Sequence, residues 1–523
     1  MLRDLLLLFF LNFLVQFTTT AQSTFIGDNH DLPLRIEIPA RSVNETYRII
    51  PVGKTGLILF YRSNEMADPA RSAWYFALYD TNLQQIWVKP IPLPTEHNLL
   101  LNNQCGDTLS LLFVPVGKSR SSDTRIEILR IIPSSGMLLL NAGNTDANSE
   151  IVDFGIRNDR AWIGINQNGK VGKILTIHLN DGFARTFPLG VGNVLALMYL
   201  KPDSASNTVT AVVSRQVSKK SAEYFVAGYD TTGKVIREVM IGTQTGDRIF
   251  NNVRVVSTET AAKLITGSYG QGVSKSSRKN ESGAEATGLF SCNIGEGKQQ
   301  TINYYNFLEF KNADSFIGEK DILNLKKKAL KKNKSLKEYS LDFQIIMQES
   351  LTLNNRFIVT TEVYSPQYHS ETFTDFDFYG RPYTNSYSVF DGYRFSNAIV
   401  SCFDQKGQLV WDNNLELRNL ISMELTPNVV VFPTGNDLVL FYLSDGVIAS
   451  KIIHENTVVE KTDFTPVDLM FPEDKLITET KGKVQKWYGN YFLTSGYQEI
   501  KNIARESGNK RLVFYLSKLQ FEP

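Results

Sequence analysis

The chain has 523 residues, and its 55 Lys and Arg residues nearly balance its 54 Asp and Glu residues. A net charge of only +1 gives no global positive field, so we expect no nucleic-acid partner. Three scattered cysteines are too few for a disulfide framework and lack the spacing of a zinc site, so we expect no metal and no cofactor.

The N-terminus has the three-part layout of a secretory signal peptide. The charge of Arg3 precedes an almost wholly apolar run from Leu5 to Phe17, and small residues follow up to Ala21. This run is shorter than the roughly 20 residues that span a bilayer. We therefore expect cleavage after Ala21, the alternative being an uncleaved N-terminal anchor. No later stretch approaches a membrane-spanning length, so we predict a soluble chain in the periplasm, at the outer membrane or outside the cell.

A short hairpin pattern recurs along the rest of the chain. Its fullest copy, Phe403–Trp411, reads as a strand, an Asp-x-x-Gly turn and a returning strand, and close copies begin at Tyr79 and Tyr229. Weaker copies lie near positions 133, 180, 294 and 455. Most of these turns are about 50 residues apart, which is the length of a four-stranded propeller blade.

We therefore predict an all-β fold, namely a β-propeller of four-stranded blades with eight blades, seven being the alternative. The eight predicted units are residues 46–92, 97–141, 149–189, 194–242, 249–305, 342–414, 419–463 and 478–521. The last unit stops without an outer strand, so we expect residues 33–40 to complete it. Residues 22–523 would then be one propeller domain with insertions at 307–341 and 364–395.

The hairpin pattern, aromatic-Asp-x-x-Gly followed by Trp411 in its fullest copy, resembles the outer-strand repeat of quinoprotein-like eight-bladed propellers. The whole chain resembles the secreted, WD40-like propeller proteins of Bacteroidota, whose signal peptides often end in Ala-Gln, as at Ala21 and Gln22. Quinoprotein enzymes carry an adjacent cysteine pair beside a calcium and quinone site. This chain has no such pair, so the resemblance implies the fold without the enzymatic site.

The first insertion is predicted to contain a basic helix within residues 316–340. Leu and Ile residues recur there among lysines, and we take Lys326, Lys327, Lys331 and Lys332 as candidate contacts with a membrane surface or an acidic partner. The alternative is a helix that covers the propeller with its apolar stripe and leaves its lysines in water.

The second insertion, residues 364–395, holds eleven aromatic residues in 32 and is predicted to be an aromatic-rich loop. Aromatic side chains give a large contact area and are favoured at interfaces, and long loops often carry recognition. The alternative is an extended hairpin that packs its own aromatics over the propeller. The candidate binding residues are Tyr379, Arg381, Tyr383, Tyr387, Phe390 and Tyr393.

The sequence contains none of the common catalytic motifs, so no catalytic residue is predicted. The leading hypothesis is an exported, non-catalytic binding or scaffolding propeller in a cell-envelope assembly, with a protein or glycan partner. The alternatives are a carbohydrate-active or other hydrolytic propeller and a sensor of a small ligand. Both stay open because propeller sites gather residues from separate blades.

Overall fold

The computed structural model describes residues 24–26, 34–117, 123–190, 194–203, 207–218, 221–241, 248–257, 263–271, 285–294, 300–332, 339, 341–502 and 510–522. The predicted signal peptide, residues 1–21, lies outside these ranges. The described chain is all-β, with 71% strand and 5% helix.

The described strands form eight sheets, and all of their strand pairs are antiparallel. Sheets 1 to 4 are meanders of four consecutive strands. Sheet 1 comprises β3 (Arg48–Pro51), β4 (Leu57–Asp68), β5 (Arg71–Tyr79) and β6 (Gln85–Pro94). Sheet 2 comprises β7 (His97–Cys105), β8 (Thr108–Pro115), β9 (Thr124–Ile132) and β10 (Met137–Thr145). Sheet 3 comprises β11 (Ser149–Arg157), β12 (Arg160–Gln167), β13 (Val171–His178) and β14 (Ala184–Pro188). Sheet 4 comprises β15 (Ala196–Pro202), β16 (Thr208–Ser218), β17 (Ser221–Asp230) and β18 (Val235–Met240).

Sheets 5 to 8 follow the same plan, with additions in sheets 6 and 8. Sheet 5 comprises β19 (Arg248–Ser257), β20 (Lys263–Gln271), β22 (Gly288–Ile294) and β23 (Ile302–Asn306). Sheet 6 comprises β21 (Glu285–Ala286), β24 (Phe343–Met347), β25 (Leu351–Leu353), β26 (Arg356–Phe376), β27 (Pro382–Phe403) and β28 (Leu409–Ser422). Sheet 7 comprises β29 (Val430–Thr434), β30 (Asp437–Ser444), β31 (Val447–His454) and β32 (Thr457–Pro466). Sheet 8 comprises β33 (Asp474–Lys486), β34 (Tyr491–Asn502) and β35 (Lys510–Glu522), with the N-terminal strands β1 (Thr24–Ile26) and β2 (Arg35–Pro39).

A middle strand of each sheet buries both of its faces. In β30, Leu438, Leu440 and Tyr442 belong to the apolar core shared with sheet 6. The alternate residues Val439 and Phe441 belong to the core shared with sheet 8. Successive side chains of a strand point to opposite faces, so a continuous apolar run marks a strand covered on both sides. Four-stranded meanders that stack face to face in chain order are the arrangement of β-propeller blades.

The apolar cores of the described residues lie between neighbouring sheets. Seven clusters join each sheet to the next one along the chain. An eighth joins sheet 8, through Leu493 and Phe514, to sheet 1, through Ile49 and Leu57. Leu83, which replaces Gly in the first Asp-x-x-Gly-like turn, has φ of +58° and is buried in this eighth core. The burial of its side chain accounts for a non-glycine residue in that conformation.

The N-terminal strand β2 pairs antiparallel with the last strand of the chain, so that Arg35 faces Ser517 and Pro39 faces Val513. The side chain of Arg35 is fully buried and lies 3.0 Å from Glu37, and it donates a hydrogen bond of 2.7 Å to Gln498 of β34. Arg511 of β35 also binds Glu37, at 2.9 Å. Main-chain pairing and buried charged groups together attach β2 to sheet 8.

The first insertion contains, in the described residues, a 3-10 turn at Phe307–Glu309 and two α-helices, α1 (Asp314–Ile317) and α2 (Glu319–Lys332). Another 3-10 turn, Gly53–Thr55, connects β3 and β4. The predicted helix thus begins and ends inside its predicted range. Its apolar stripe covers the propeller only in part, because Ile322 is buried whereas Leu323 and Leu330 are 52% and 82% exposed. Phe307, Phe310 and Ile317, which precede the helix, join Ile322 in the core between sheets 5 and 6.

The pairing of β2 yields a stability prediction. A chain that begins at residue 41 loses the strand that covers the outer edge of β35 and the buried Arg35 network, so we expect its melting temperature to fall by about 5 °C. A chain that begins at residue 34 keeps β2 and is the matched control. Thermal unfolding followed by circular dichroism measures both, and a synthetic peptide of residues 34–40 should restore part of the loss. Equal melting temperatures of the two truncations would contradict the role given to β2.

Candidate functional site

The aromatic-rich segment is an extended β-hairpin, which is the form that the alternative prediction gave it, and not a loop. The neighbouring strand β24 pairs with β26 only as far as Tyr364, and β28 pairs with β27 only as far as Tyr393. Beyond these residues the two arms, 365–376 and 382–392, pair with each other and with no other described strand. Twelve residues of strand span roughly 40 Å. Every residue from 368 to 384 is exposed, so the aromatics do not pack over the propeller as the alternative proposed.

The tip of this hairpin uses the same turn as the repeat. The carboxylate of Asp377 accepts hydrogen bonds from the backbone amides of Tyr379 and Arg381, at 2.9 and 2.8 Å, and Gly380 has φ of +73°. Asp404 accepts equivalent bonds from Lys406 and Gln408, at 2.9 and 2.8 Å. The sequence Asp377-Phe378-Tyr379-Gly380-Arg381 is therefore a further Asp-x-x-Gly turn, which sequence reasoning passed over although the signal is present.

The two faces of the hairpin differ in chemistry. Residues that pair directly across the strands share a face, and the pairing runs from Tyr368 opposite Phe390 to Phe376 opposite Pro382. The first face, here called the acidic face, consists of His369, Glu371, Phe373, Asp375, Tyr383, Asn385, Tyr387 and Val389. The second, here called the hydroxyl face, consists of Tyr368, Ser370, Thr372, Thr374, Phe376, Pro382, Thr384, Ser386, Ser388 and Phe390.

Hydrogen bonds organise the acidic face. Tyr387 donates to Glu371, its direct cross-strand partner, and Tyr383 donates to Asp375 over 3.1 Å. His369 lies between two carboxylates, 2.5 Å from Asp391 and 3.3 Å from Glu371. The hydrogen bond to Asp391, followed by that to Glu371, raises the pKa of His369. The bond from Tyr387 lowers the pKa of Glu371, so this carboxylate is held in its ionised form.

The six predicted binding residues are spread along the hairpin. Tyr379 and Arg381 lie at the tip, where Tyr379 is 80% exposed and the Arg381 guanidinium is 5.8 Å from its ring centroid. Tyr383 and Tyr387 lie on the acidic face and are each about half exposed. At the base, the half-buried Phe390 packs against Tyr393, with ring centroids 4.9 Å apart. Arg381 therefore contacts the ring of Tyr379, whereas Tyr383 binds Asp375.

The four predicted lysine contacts lie elsewhere, on α2. Lys326, Lys327, Lys331 and Lys332 are all exposed, and Lys326 is 3.9 Å from Asp314. The preceding helix α1 packs on β28, where Asn414 donates a hydrogen bond of 3.4 Å to the carbonyl of Ser315. Helix α1, which α2 directly follows, therefore lies beside β28, the outer strand of sheet 6. The hairpin instead extends from β26 and β27, the two middle strands of that sheet.

Sequence reasoning missed a group of polar residues on the first strands of consecutive sheets. Asp153 and Tyr199 each follow a β-bulge, on β11 and β15, and Arg254 lies on β19. Arg254 is 3.0 Å from Glu349, which follows β24, and its guanidinium is 5.9 Å from the Tyr199 ring. The carboxylate of Asp153 accepts backbone hydrogen bonds from Phe154 and Leu200, at 2.9 and 3.0 Å. Burial nevertheless raises its pKa to about 6.

Two cavities lie between neighbouring sheets. A cavity of about 420 Å³ is lined by residues of sheets 3 to 5, including Lys170, Gln216, Tyr224, Phe250 and Asn251. A cavity of about 290 Å³ lies between sheets 6 and 7. Its lining includes Arg356, Cys402, Trp411, His454 and Glu455. No group of three or more metal-ligating side chains occurs among the described residues, and no helix there is long and apolar enough to cross a membrane.

No protein-family model matches the sequence, and no curated protein matches it. Among solved structures, the chain is similar to the WD40 domain of SCAP from fission yeast, with 7% identity over 92% of this chain and 98% of that one and a TM-score of 0.39. It is also similar to the polysaccharide lyase Uly1, with 9% identity, coverage of 80% and 89%, and a TM-score of 0.38. It is also similar to the β-propeller domain of the Trilobed protease from Pyrococcus furiosus, with 9% identity over 80% of this chain and 98% of that one and a TM-score of 0.34. The fold is assigned from the eight antiparallel sheets and the apolar cores between them.

The environment of Asp153 predicts a pH dependence. Its folded pKa of about 6 exceeds the ordinary value of 3.8, so its contribution to stability is complete below that value and is lost as the pH rises through about 6. We expect the unfolding free energy of the parent, relative to Asp153→Asn, to fall by up to about 3 kcal/mol between about pH 4 and pH 8. Urea unfolding at both pH values measures this difference. Glu150→Gln, at an exposed position of the same strand, is the control, and a pH-independent difference for Asp153→Asn would contradict the assignment.

The exposure of the helix lysines predicts that they contribute little to the fold. Changing Lys326, Lys327, Lys331 and Lys332 together to Glu should change the unfolding free energy by less than about 1 kcal/mol, because solvated charges contribute little. If α2 contacts anionic membranes, the same variant should lose co-sedimentation with phosphatidylglycerol vesicles.

A control variant separates a local contact from a change in net charge. It carries four Lys→Glu changes at exposed positions outside α2, namely Lys201, Lys234, Lys461 and Lys501. Equal loss of vesicle binding in both variants would argue against α2 as a contact, and unfolding of the α2 variant would show that the helix supports the core.

Proposed function

We propose that the chain is an exported binding or scaffolding propeller that belongs to, or assists, a cell-envelope assembly. The aromatic hairpin is its main contact element, and its partner is an envelope protein or glycan. The observation that carries this proposal is the hairpin itself. It extends two arms beyond sheet 6 while its large aromatic side chains remain in solvent.

The exposure of these side chains is the unusual feature. Phe376, Phe378 and Tyr379 at the tip are 63%, 98% and 80% exposed, and Phe373 and Tyr387 on the arms are 45% and 50% exposed. Exposed apolar surface typically marks an interaction site when several such side chains lie on one element. The base of the hairpin is well anchored, because Tyr364 and Phe395 are buried in the core between sheets 6 and 7. A rigid base that presents an exposed aromatic arm suits partner binding.

The scaffold in this proposal is a closed propeller of eight blades, one for each sheet. It is supported by the apolar core between sheets 8 and 1, which continues the series of cores between consecutive sheets. It is also supported by β2, which supplies the fourth strand of sheet 8 from the opposite end of the chain. Donation of a terminal strand in this way covers the edge of β35.

The export part of the proposal rests on sequence alone. The charge of Arg3, the short apolar run that follows and the small residues up to Ala21 have the order of a cleavable signal peptide. A comparison of the N-terminal residue and mass of the protein secreted from its native host with those of the full chain tests this point directly.

A second candidate function uses the polar group on the first strands. Asp153, Tyr199, Arg254 and Glu349 bring two carboxylates, a phenol and a guanidinium to consecutive sheets, and a carboxyl with a pKa near 6 suits proton transfer or ligand recognition. This group favours a hydrolytic or ligand-sensing role over pure scaffolding. Loss of a detected hydrolytic or binding activity in Arg254→Met, with the aromatic hairpin intact, would favour that role.

The hairpin proposal predicts a separation of stability from binding. Replacement of residues 368–391 by Asn-Gly joins the paired residues Gln367 and Gly392 through a two-residue turn. We expect little change in melting temperature, because the removed arms lie outside the intersheet cores, and complete loss of partner capture from envelope extracts. Tyr379→Ala, Tyr383→Ala and Tyr387→Ala combined should give the same result, because interface aromatics typically cost about 2 kcal/mol or more when truncated.

The matched control removes three exposed aromatics outside the hairpin, Phe183, Phe464 and Phe471. Cross-linking and mass spectrometry of the captured material identify the partner. If the shortened hairpin still captures every partner that the parent captures, the hairpin is not the contact element.

A further inference from the structure

The hairpin carries a local negative charge in a chain that is nearly neutral. Residues 365–392 contain four acidic residues, Glu371, Asp375, Asp377 and Asp391, against the single guanidinium of Arg381, while the whole chain has a net charge of +1. The charges are not distributed evenly between the two faces. Glu371 and Asp375 lie on the acidic face and Asp391 binds His369 of that face, whereas the hydroxyl face carries no ionisable carboxylate or cation.

The acidic face combines these carboxylates with exposed aromatic rings. Phe373, Tyr383 and Tyr387 are 45%, 44% and 50% exposed, and the rings of Phe373 and Tyr387 are 5.8 Å apart. The tyrosine hydroxyls hold Glu371 and Asp375 beside these rings. An ammonium or guanidinium group is attracted both by carboxylates and by aromatic faces, so the chemistry of this surface is complementary to Lys and Arg side chains.

The backbone of the hairpin adds a second form of recognition. Beyond Tyr364 and Tyr393, no described strand pairs with the outer edges of its arms. An open strand edge accepts an extended chain through main-chain hydrogen bonds, and the alternate side chains of the added strand then lie on one face. Every second residue of such a chain would lie alongside the acidic face, and the residues between would lie alongside the hydroxyl face.

We infer that the hairpin binds an extended segment of a partner protein that carries Lys or Arg at alternate positions, with small polar residues between them. The cationic side chains contact the carboxylates and rings of the acidic face, and the segment adds as a strand to an arm of the hairpin. This inference rests on the proposed function, because it assigns the class of partner that the same hairpin binds.

Two labelled peptides of identical composition test the alternation. One is Lys-Thr repeated six times, and the other is Lys-Lys-Thr-Thr repeated three times. Fluorescence anisotropy with the full chain should show that the alternating peptide binds at least about fivefold more tightly, because only it presents all its lysines to one face of an added strand. Its affinity should also fall when salt is raised from about 50 to about 300 mM, since its contacts are charged. Equal affinities for the two peptides would overturn the inference.

Substitutions on the acidic face test the location. Glu371→Gln, Asp375→Asn and Asp391→Asn together should weaken binding of the alternating peptide about tenfold or more, because they remove its charge complement and keep side chains of similar shape. Each single change should weaken binding of the alternating peptide by a smaller factor. The single variants also show whether a loss in the triple variant comes from misfolding. The control neutralises three exposed carboxylates elsewhere, Glu150, Glu238 and Glu473, and should bind as the parent does. Equal weakening in the control and the hairpin variant would show diffuse electrostatics and overturn the inference.

Capture of the natural partner separates the two proposals. If the shortened hairpin loses the partner while the triple neutralised variant retains it, the hairpin is the contact element but its acidic face is not the recognition surface. If both variants retain the partner, both proposals fail. If both lose it and the partner's contact segment, mapped by cross-linking, shows alternating Lys or Arg, both stand.

Discussion

The structure depends on one constraint, which is that each sheet has two apolar faces to cover. A free-standing sheet in water covers neither face, and a two-layer sandwich covers only one face of each sheet. Stacking in chain order covers both faces of every inner sheet. The apolar core between sheets 8 and 1 covers one further face of each of these two sheets. The alternation of Leu440 and Phe441 between two different cores shows this division within a single strand. Burial on both faces also explains why the middle strands read as continuous apolar runs.

Close stacking creates a second problem, because backbone amides at the seams between sheets lose water. At several seams, a side-chain oxygen of an adjoining strand accepts a hydrogen bond from such an amide. Tyr224 accepts from the amide of Phe250 in the next sheet at 2.8 Å, and Tyr442 accepts from Arg418 of the preceding sheet at 2.8 Å. Glu362, which is fully buried, accepts from Val429 at 3.0 Å and from Asn428. Burial raises the pKa of Glu362, and its hydrogen-bond donors partly offset that cost. Tyr224, Tyr442 and Glu362 therefore stabilise the seams between sheets by accepting hydrogen bonds from backbone amides.

The sequence predicted the parts of the fold that local chemistry controls. Asp404 and Asp230 were recognisable because an Asp-x-x-Gly turn needs a carboxylate to accept amides and a residue with positive φ. The strand at residues 33–40 was recognisable from the uneven count of strands at the two chain ends, and β2 pairs with β35 as expected. The hairpin form of residues 364–395 was predicted only as the alternative to a loop, because its alternation of hydroxyl and acidic residues hides the usual apolar period of a strand, and the exposure of its aromatics was not predicted. The group of Asp153, Tyr199, Arg254 and Glu349 could not be predicted, since its members are far apart in sequence and meet only when successive sheets stack.

The same constraint explains why the hairpin differs so much from the strands that carry it. Where β26 and β27 lie inside sheet 6, both of their faces are covered, and Val359, Ile399 and Val400 are fully buried. Beyond Tyr364 and Tyr393 the arms leave the seams, so burial no longer selects their residues. An aromatic hairpin whose outer edges face water is an aggregation hazard, and charged residues together with proline are the usual protection for exposed edges. Pro366 and the four acidic residues give such protection, and three of these acidic residues, Glu371, Asp375 and Asp391, lie on the acidic face or bind a residue of it. The carboxylates thus favour one face of the hairpin while the other face carries only neutral side chains, and the proposed recognition of a cationic strand depends on this asymmetry.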